Sequence, residues 1–317
     1  MKLAIIVPCY NEEEILPKSI NKLSNLLKSM IDEDLCDSSS RLLFVDDGSK
    51  DKTWQIIEET SKKKELVAGI KLSRNYGHQN ALIAGLSSIE ADAYVTIDAD
   101  LQDDINTIKD MVNAYHKGFE IVYGVRKERK TDTLFKRQSA QLFYKLMEIM
   151  GVETIYNHAD FRLLSNRAKN ALMQFKEVNL FLRGIVPLIG FKTTTVYYKR
   201  KERDAGESKY PLRKMISFAW EGITSFSTMP LRLITTAGFI IFIISIIYGI
   251  WVLYEKLFTD HAVQGWASMM VVLLGLGGIQ VLSLGIIGEY IGKIYKETKQ
   301  RPRYFVDKTT EVFKRQD

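Results

Sequence analysis

Asp98 and Asp100 stand two apart at the end of a short apolar run, within Val95-Thr96-Ile97-Asp98-Ala99-Asp100-Leu101-Gln102-Asp103-Asp104. On extended chain, residues two apart point the same way, so both carboxylates can face one point beyond a strand. Like charges held that close repel, and each is partly neutralised unless a cation sits between them. A hard divalent ion such as Mg²⁺ or Mn²⁺ meets that need, taking one or two carboxylates together with substrate phosphates. Gln102 could add a neutral oxygen. Taken alone, the same residues also make a solvated acidic turn, and the rest of the chain must decide.

The carboxylates need a frame. Short β-rich runs are expected at residues 3–7, 42–45, 69–71, 93–97 and 121–123, with helical patterns between them at 13–30, 52–64 and 105–117. Gly118 closes the last of these helices. Such alternation predicts an α/β fold, a mostly parallel sheet with helices on both faces. Ligands of such sheets bind beyond the carboxyl ends of the strands, and the polar clusters fall there. They are Pro8-Cys9-Tyr10-Asn11-Glu12-Glu13, Asp46-Asp47-Gly48-Ser49, Ser73-Arg74-Asn75-Tyr76-Gly77-His78, Asp98-Ala99-Asp100 and Gly124-Val125-Arg126. Any one alone could be turn or cap chemistry; five at one edge make a shared pocket. No Gly-X-Gly-X-X-Gly follows a strand and no Walker-type loop is present, which disfavours a nicotinamide cofactor and P-loop chemistry. A nucleotide held through carboxylates and a metal remains.

With 317 residues, the chain has room for a large domain and an appendage. Its 44 Lys+Arg against 38 Asp+Glu form no block of like charge, so nucleic acid is not an expected partner. Two cysteines, Cys9 and Cys36, lack metal spacing and favour a reducing compartment. The first apolar run is cut by Pro8 and is too short for a signal peptide. Residues 233–254 and 266–287 are different in kind: uncharged and each long enough to cross a bilayer core of roughly 30 Å. Arg213, Lys214 and Arg232 precede the first, and Lys293, Lys296, Lys299, Arg301 and Arg303 follow the second. The connection holds Lys256 as its base, beside Glu255 and Asp260. Basic residues mark the cytoplasmic side, so both ends and the soluble domain are expected in the cytoplasm. The expected division is a soluble domain at 1–211, an amphipathic juxtamembrane helix at 212–230, a two-helix membrane unit at 231–292 and a basic tail at 293–317.

Four motifs carry a resemblance: Pro8-X-Tyr10-Asn11-Glu12, Val45-Asp46-Asp47-Gly48-Ser49, Asn75-X-Gly77-His78-Gln79-Asn80-Ala81 and Asp98-Ala99-Asp100-Leu101-Gln102-Asp103. Together they resemble family 2 glycosyltransferases of the GT-A nucleotide-sugar-binding fold. Asp160-Phe161-Arg162-Leu163, Phe181-Leu182-Arg183-Gly184 and the stretch from Arg203 to Tyr210, with two spans behind them, narrow this to the polyprenyl-phosphate branch. That branch includes bactoprenol glucosyltransferases and dolichol-phosphate mannose synthases. The resemblance implies donor contacts from Pro8, Tyr10, Glu12 and Asp46 or Asp47, with Gly77 at a helix start whose amides could meet phosphate. It implies a metal at Asp98, Asp100 and Gln102, and a catalytic acid at Asp160, either a base or an organiser of basic neighbours. Arg126, Arg137 and Ser139 are candidates for the acceptor phosphate, and Arg203, Ser208 and Lys209 for a loop closing over the donor. Tyr10 could instead pack beneath the nucleotide, and His78 could cap or pack. Asp104-Ile105 departs from the prolines many relatives carry there.

Residues 134–150 and 212–226 each put apolar side chains at three- and four-residue steps beside basic ones, as interfacial helices or core-facing stripes do. The implied reaction moves a sugar, glucose first, from a donor such as UDP-glucose to polyprenyl (undecaprenyl) phosphate at a cell membrane. The competing readings are a processive polysaccharide synthase, for which two spans are few, and a silent membrane scaffold, against which the acidic set stands. A homo-oligomer is left open.

Overall fold

The computed structural model describes residues 1–127, 158–178, 181–198, 224, 227–258 and 265–310. Strands β1 (Leu3–Cys9), β2 (Arg41–Asp46), β3 (Val67–Leu72), β4 (Ala93–Thr96), β5 (Ile121–Arg126), β6 (His158–Ser165), β7 (Thr193–Tyr198) and β8 (Val306–Thr309) form one sheet in the order β7-β5-β6-β4-β1-β2-β3-β8. The half β3-β2-β1-β4 is parallel. On its flank β6 runs antiparallel to β4 and β5.

Alternation along β1 explains the two layers. Leu3, Ile5 and Val7 face α1 (Leu16–Asp32), α2 (Thr53–Lys63) and α4 (Thr107–His116). Ala4 and Ile6 face α3 (His78–Ser88), α5 (Asn166–Gln174) and α6 (Leu182–Leu188). A strand covered on both faces must be apolar at every position, and β1 is buried along its whole length.

β1 runs two residues past the expected end, through Pro8, although proline cannot donate to a ladder. Ile6 O accepts from Ile97 N on the β4 side. Pro8 has the same parity, so its missing donor points to that side too, where β4 has already ended. No ladder bond is lost.

After α6 and β7, α7 (Met229–Phe258) and α8 (Trp266–Thr298) pair as a hairpin. At 1.5 Å per residue each is longer than a bilayer core, and each holds a segment apolar enough to cross one, Met229–Tyr248 and Gly275–Thr298. The second segment lies further along than expected.

The expected basic tail is corrected. Residues 293–298 complete α8, and the chain then returns to the sheet as edge strand β8, antiparallel to β3. Thr310 fastens this end, accepting from Gly69 N through its hydroxyl and donating its own N–H to Gly69 O. The signal was weak: Val306-Asp307-Lys308-Thr309 is short and exposed, as edge strands often are. Of the interfacial segments, 134–150 lies outside the described residues, and only Thr224 of 212–226 lies within them.

Candidate functional site

The loops after β1, β2 and β3 are stitched by their own polar groups. Asn11 N donates to Ser49 Oγ and Glu12 N to Thr53 Oγ1, both at 2.9 Å, while Asn11 Oδ1 accepts from Lys50 N. Asp47 N donates to Cys9 O. The Asp47 carboxylate accepts from Tyr76 N at 2.7 Å and Gly77 N at 2.9 Å, which ties the second loop to the third.

The two acids expected at the donor thus also hold the loops together. Asp46 is 0% exposed, accepts from Ser49 N and lies 3.8 Å from Lys71 Nζ. Burial raises both carboxyls, opposed by their hydrogen bonds to Ser49 and to the Tyr76 and Gly77 amides. They support the platform. Pro8 is also buried, and Glu12 is half-buried. The Tyr10 ring, 41% exposed, is open to a ligand.

Gly48 is held by geometry. Its φ is +69°, and a Cβ there would stand 2.3 Å from the Arg74 carbonyl carbon. Gly48→Ala is therefore expected to destabilise the protein by about 2–4 kcal/mol, from left-handed strain plus a backbone clash. Thermal unfolding checks it, and an unchanged midpoint would contradict this packing.

At the centre, register does the positioning. β4 and β6 pair Ala93 with Ser165 and Thr96 with Arg162. Extending that register by two sets Asp98 opposite Asp160. His78, the first residue of α3, lies between them, its Nε2 3.5 Å from Asp98 Oδ1 and 3.5 Å from Asp160 Oδ2. Asp160 Oδ1 also accepts from Arg162 Nη2 at 2.6 Å, and Arg183 Nη2 lies 3.3 Å from Asp160 Oδ2.

Burial pushes Asp160 up, but Arg183, His78 and Arg162 together hold it well below the usual carboxylate range. A carboxylate so stabilised is a poor base, so of its two expected roles the geometry favours organising cations. Burial works against protonation of His78, and the two carboxylates overcome it and raise its pKa.

Arg126, expected at the acceptor phosphate, is held by two partners. Its Nε donates to Tyr198 Oη at 3.2 Å, its Nη2 lies 3.4 Å from Asp103 Oδ1, and Tyr198 Oη donates to the same oxygen at 2.6 Å. These bonds tie the ends of β5 and β7 to the acidic loop. Arg137, Ser139, Arg203, Ser208 and Lys209 lie outside the described residues.

For a divalent cation, Asp98 and Asp100 fit. Burial first, then repulsion from Asp160, Asp103 and Asp100, pushes Asp98 up to about 6 against the attraction of His78. Its side chain is still 43% exposed, so water screens part of that rise. Gln102 is buried. Among the described residues no three His, Cys, Asp or Glu side chains form a metal cage, so the protein would supply part of the shell and the donor's phosphates the remainder.

The sign of the pH dependence follows. Below about 6 the Asp98 carboxyl of the metal-free protein holds a proton that a cation must displace. Were a divalent cation held there, the Mg²⁺ concentration needed to fill the site should rise up to about tenfold per unit as pH falls below that value, and level off above it. An activation constant flat with pH would contradict this.

Two family models match the chain, glycosyl transferase family 2 over residues 4–186 and GtrB C-terminal hairpin over 229–294. The first covers more than half of it. The chain belongs to glycosyl transferase family 2. This family 2 glycosyltransferase is 52% identical over 307 residues to an uncharacterized glycosyltransferase, YkoT, of Bacillus subtilis, spanning 96% of this chain and 91% of that protein. It is 40% identical over 310 residues to a bactoprenol glucosyl transferase of Shigella phage SfX, spanning 96% and 99%. A prophage bactoprenol glucosyl transferase homolog of Escherichia coli is 39% identical over 310 residues, spanning 96% and 98%. The GT-A fold and the place of this glycosyltransferase beside the polyprenyl-phosphate branch agree with the motifs.

Proposed function

We propose that this glycosyltransferase moves one sugar, glucose first, from a nucleotide diphosphate donor such as UDP-glucose to polyprenyl phosphate at the cell membrane. The observation that carries this reading is one chain that joins a nucleotide-sugar domain to an apolar hairpin and returns through β8 to the same sheet. A soluble acceptor would require no such anchor. The relatives named bactoprenol glucosyl transferases support the acceptor and the sugar class.

The chemistry asks little proton transfer of the protein. A phosphate oxygen of the acceptor is already ionised at neutral pH and needs no base. It attacks the anomeric carbon as the bond from that carbon to the donor diphosphate breaks, and the electron pair leaves on the diphosphate. A single displacement inverts the carbon. A divalent cation at Asp98 and Asp100 would stabilise the leaving charge. Asp160, Arg162 and His78 hold the cleft in shape for alignment of nucleophile and carbon. A screen of radiolabelled nucleotide sugars against polyprenyl phosphate tests the reading and names the sugar; a long polymer product would favour the processive synthase instead.

Topology is the second part. The return of β8 to the sheet requires an even number of crossings between α7 and β8. Together with the basic flanks, this supports a cytoplasmic position for the catalytic domain and β8. Lys308→Cys should resist an impermeant thiol reagent in intact cells and Gly265→Cys, between the spans, should react. Cys9 and Cys36 are buried and give little background. The opposite labelling pattern contradicts this orientation.

A further inference from the structure

The loop after β3, residues 73–78, carries much of the site, and it is held from two sides. From within the sheet, the Asp47 carboxylate takes the amides of Tyr76 and Gly77. From beyond the sheet edge, the chain that follows the apolar hairpin takes the start of the loop. Ser73 N donates to Phe305 O at 2.9 Å. The Phe305 N–H interacts with the Tyr76 hydroxyl, which itself lies 3.0 Å from Ser73 Oγ. Held in this way, the loop delivers His78 to its place between Asp98 and Asp160.

The segment that makes these bonds is tied residue by residue. α8 ends in a turn, with Gln300 at φ +45° and its N–H donating to Glu297 O. Arg303 then donates to Phe175 O, just after α5. Tyr304 Oη lies 2.5 Å from Ser87 Oγ, near the end of α3. Phe305 meets the loop that precedes α3, so α3 is bracketed at both ends. β8 pairs with β3, and Thr310 closes the run on Gly69. All four β8 side chains are exposed. A strand that buries so little apolar area adds little to the core, and its effect lies in the backbone it holds.

We propose that residues 299–310 form a positioning strap that sets the loop after β3 for the nucleotide-sugar donor. The proposal rests on the donor reading above. The donor platform on β1, β2 and β3 is then completed only by chain that follows the hairpin, which ties donor binding to the membrane unit. Tyr304 and Phe305 act through the loop and not on the substrate.

Strand parity supplies the test. Thr310 N donates to Gly69 O, and Lys308, two residues earlier, pairs with Lys71. The Lys308 N–H therefore points at β3, and proline there breaks a ladder bond while removing only an exposed side chain. Tyr304→Ala/Lys308→Pro loosens the strap on both sides of Phe305, whereas Lys308→Ala keeps the ladder. Full-length proteins in neutral detergent are compared by amide hydrogen exchange and by steady-state kinetics, varying UDP-glucose and undecaprenyl phosphate separately. In the double variant, exchange at Tyr76 and Gly77 should quicken by about fivefold or more while β1 and β2 stay protected. Donor KM should rise about 5- to 20-fold, as loss of one or two hydrogen bonds implies, with acceptor KM and kcat within about twofold. Lys308→Ala should match wild type. Unchanged exchange at Tyr76 and Gly77 overturns the proposal, as does faster exchange without a rise in donor KM. So does an equal rise in acceptor KM, or the same change in Lys308→Ala. If β1 and β2 loosen as well, Tyr304→Phe, which removes one hydroxyl, decides by the same readouts: a rise of about 2- to 5-fold in donor KM alone supports the strap, and no change overturns it. Wild-type enzyme that transfers nothing from UDP-glucose overturns the donor reading and the donor role with it. Exchange at Tyr76 and Gly77, measured without substrate, still supports or overturns the hold of the strap on the loop.

Discussion

Asp98→Asn is expected to lower sugar transfer by about 1,000-fold or more, because the divalent cation we propose at Asp98 and Asp100 would stabilise the leaving diphosphate by several kcal/mol. The protein should stay folded. The Asp98 side chain is 43% exposed and repelled by Asp160, Asp103 and Asp100, so removing its charge relieves strain and breaks no core contact. A thermal midpoint equal to or above wild type, with transfer gone, is the predicted pair of results. EDTA should give the same loss in wild type and restore on added Mg²⁺ or Mn²⁺. Full transfer by Asp98→Asn, or in EDTA, would remove the metal from the account.

Asp160→Asn should fail differently, by losing stability and activity together. Arg162 is 3% exposed and depends on Asp160 for its short ion pair. Deleting one partner of such a pair leaves a buried charge uncompensated, at a cost of about 3–5 kcal/mol. Because Asp160 is held well below the usual range, its contribution is fully present at neutral pH and lost only as pH falls through that low folded value. Adding Arg162→Met should recover most of the stability, since an apolar side chain needs no counter-charge. Transfer should not return, because His78 and Arg183 would still lack the carboxylate that places them. Restored transfer in the double variant would reduce Asp160 to a structural role.

Much of this site could be read in the chain, and the rest was hidden for physical reasons. Continuous apolar runs ending in polar clusters marked the parallel half, because strands buried on both faces admit few other patterns. Asp98 and Asp100 stood out through a local rule, the two-residue period of extended chain. Asp160 came through resemblance alone. Its neighbour across the sheet depends on an antiparallel pairing of β6 with β4, and no local pattern encodes a register between strands over 60 residues apart. The partners of Arg126 were hidden for the same reason: Asp103 and Tyr198 come from other segments. The donor contact of Asp46 or Asp47 came through resemblance, and acids at a strand end can serve a ligand or a loop. The competing backbone amides of Ser49, Tyr76 and Gly77 became visible only in three dimensions.

The most direct test of the central claim supplies the purified protein, in neutral detergent with Mg²⁺, with undecaprenyl phosphate and radiolabelled UDP-glucose, UDP-N-acetylglucosamine or GDP-mannose in separate reactions. The account predicts that one donor yields a labelled lipid carrying a single sugar through a phosphodiester, at most one per acceptor, and none when undecaprenyl phosphate is withheld. Label in a water-soluble polymer, or no labelled lipid with any of these donors, would contradict it.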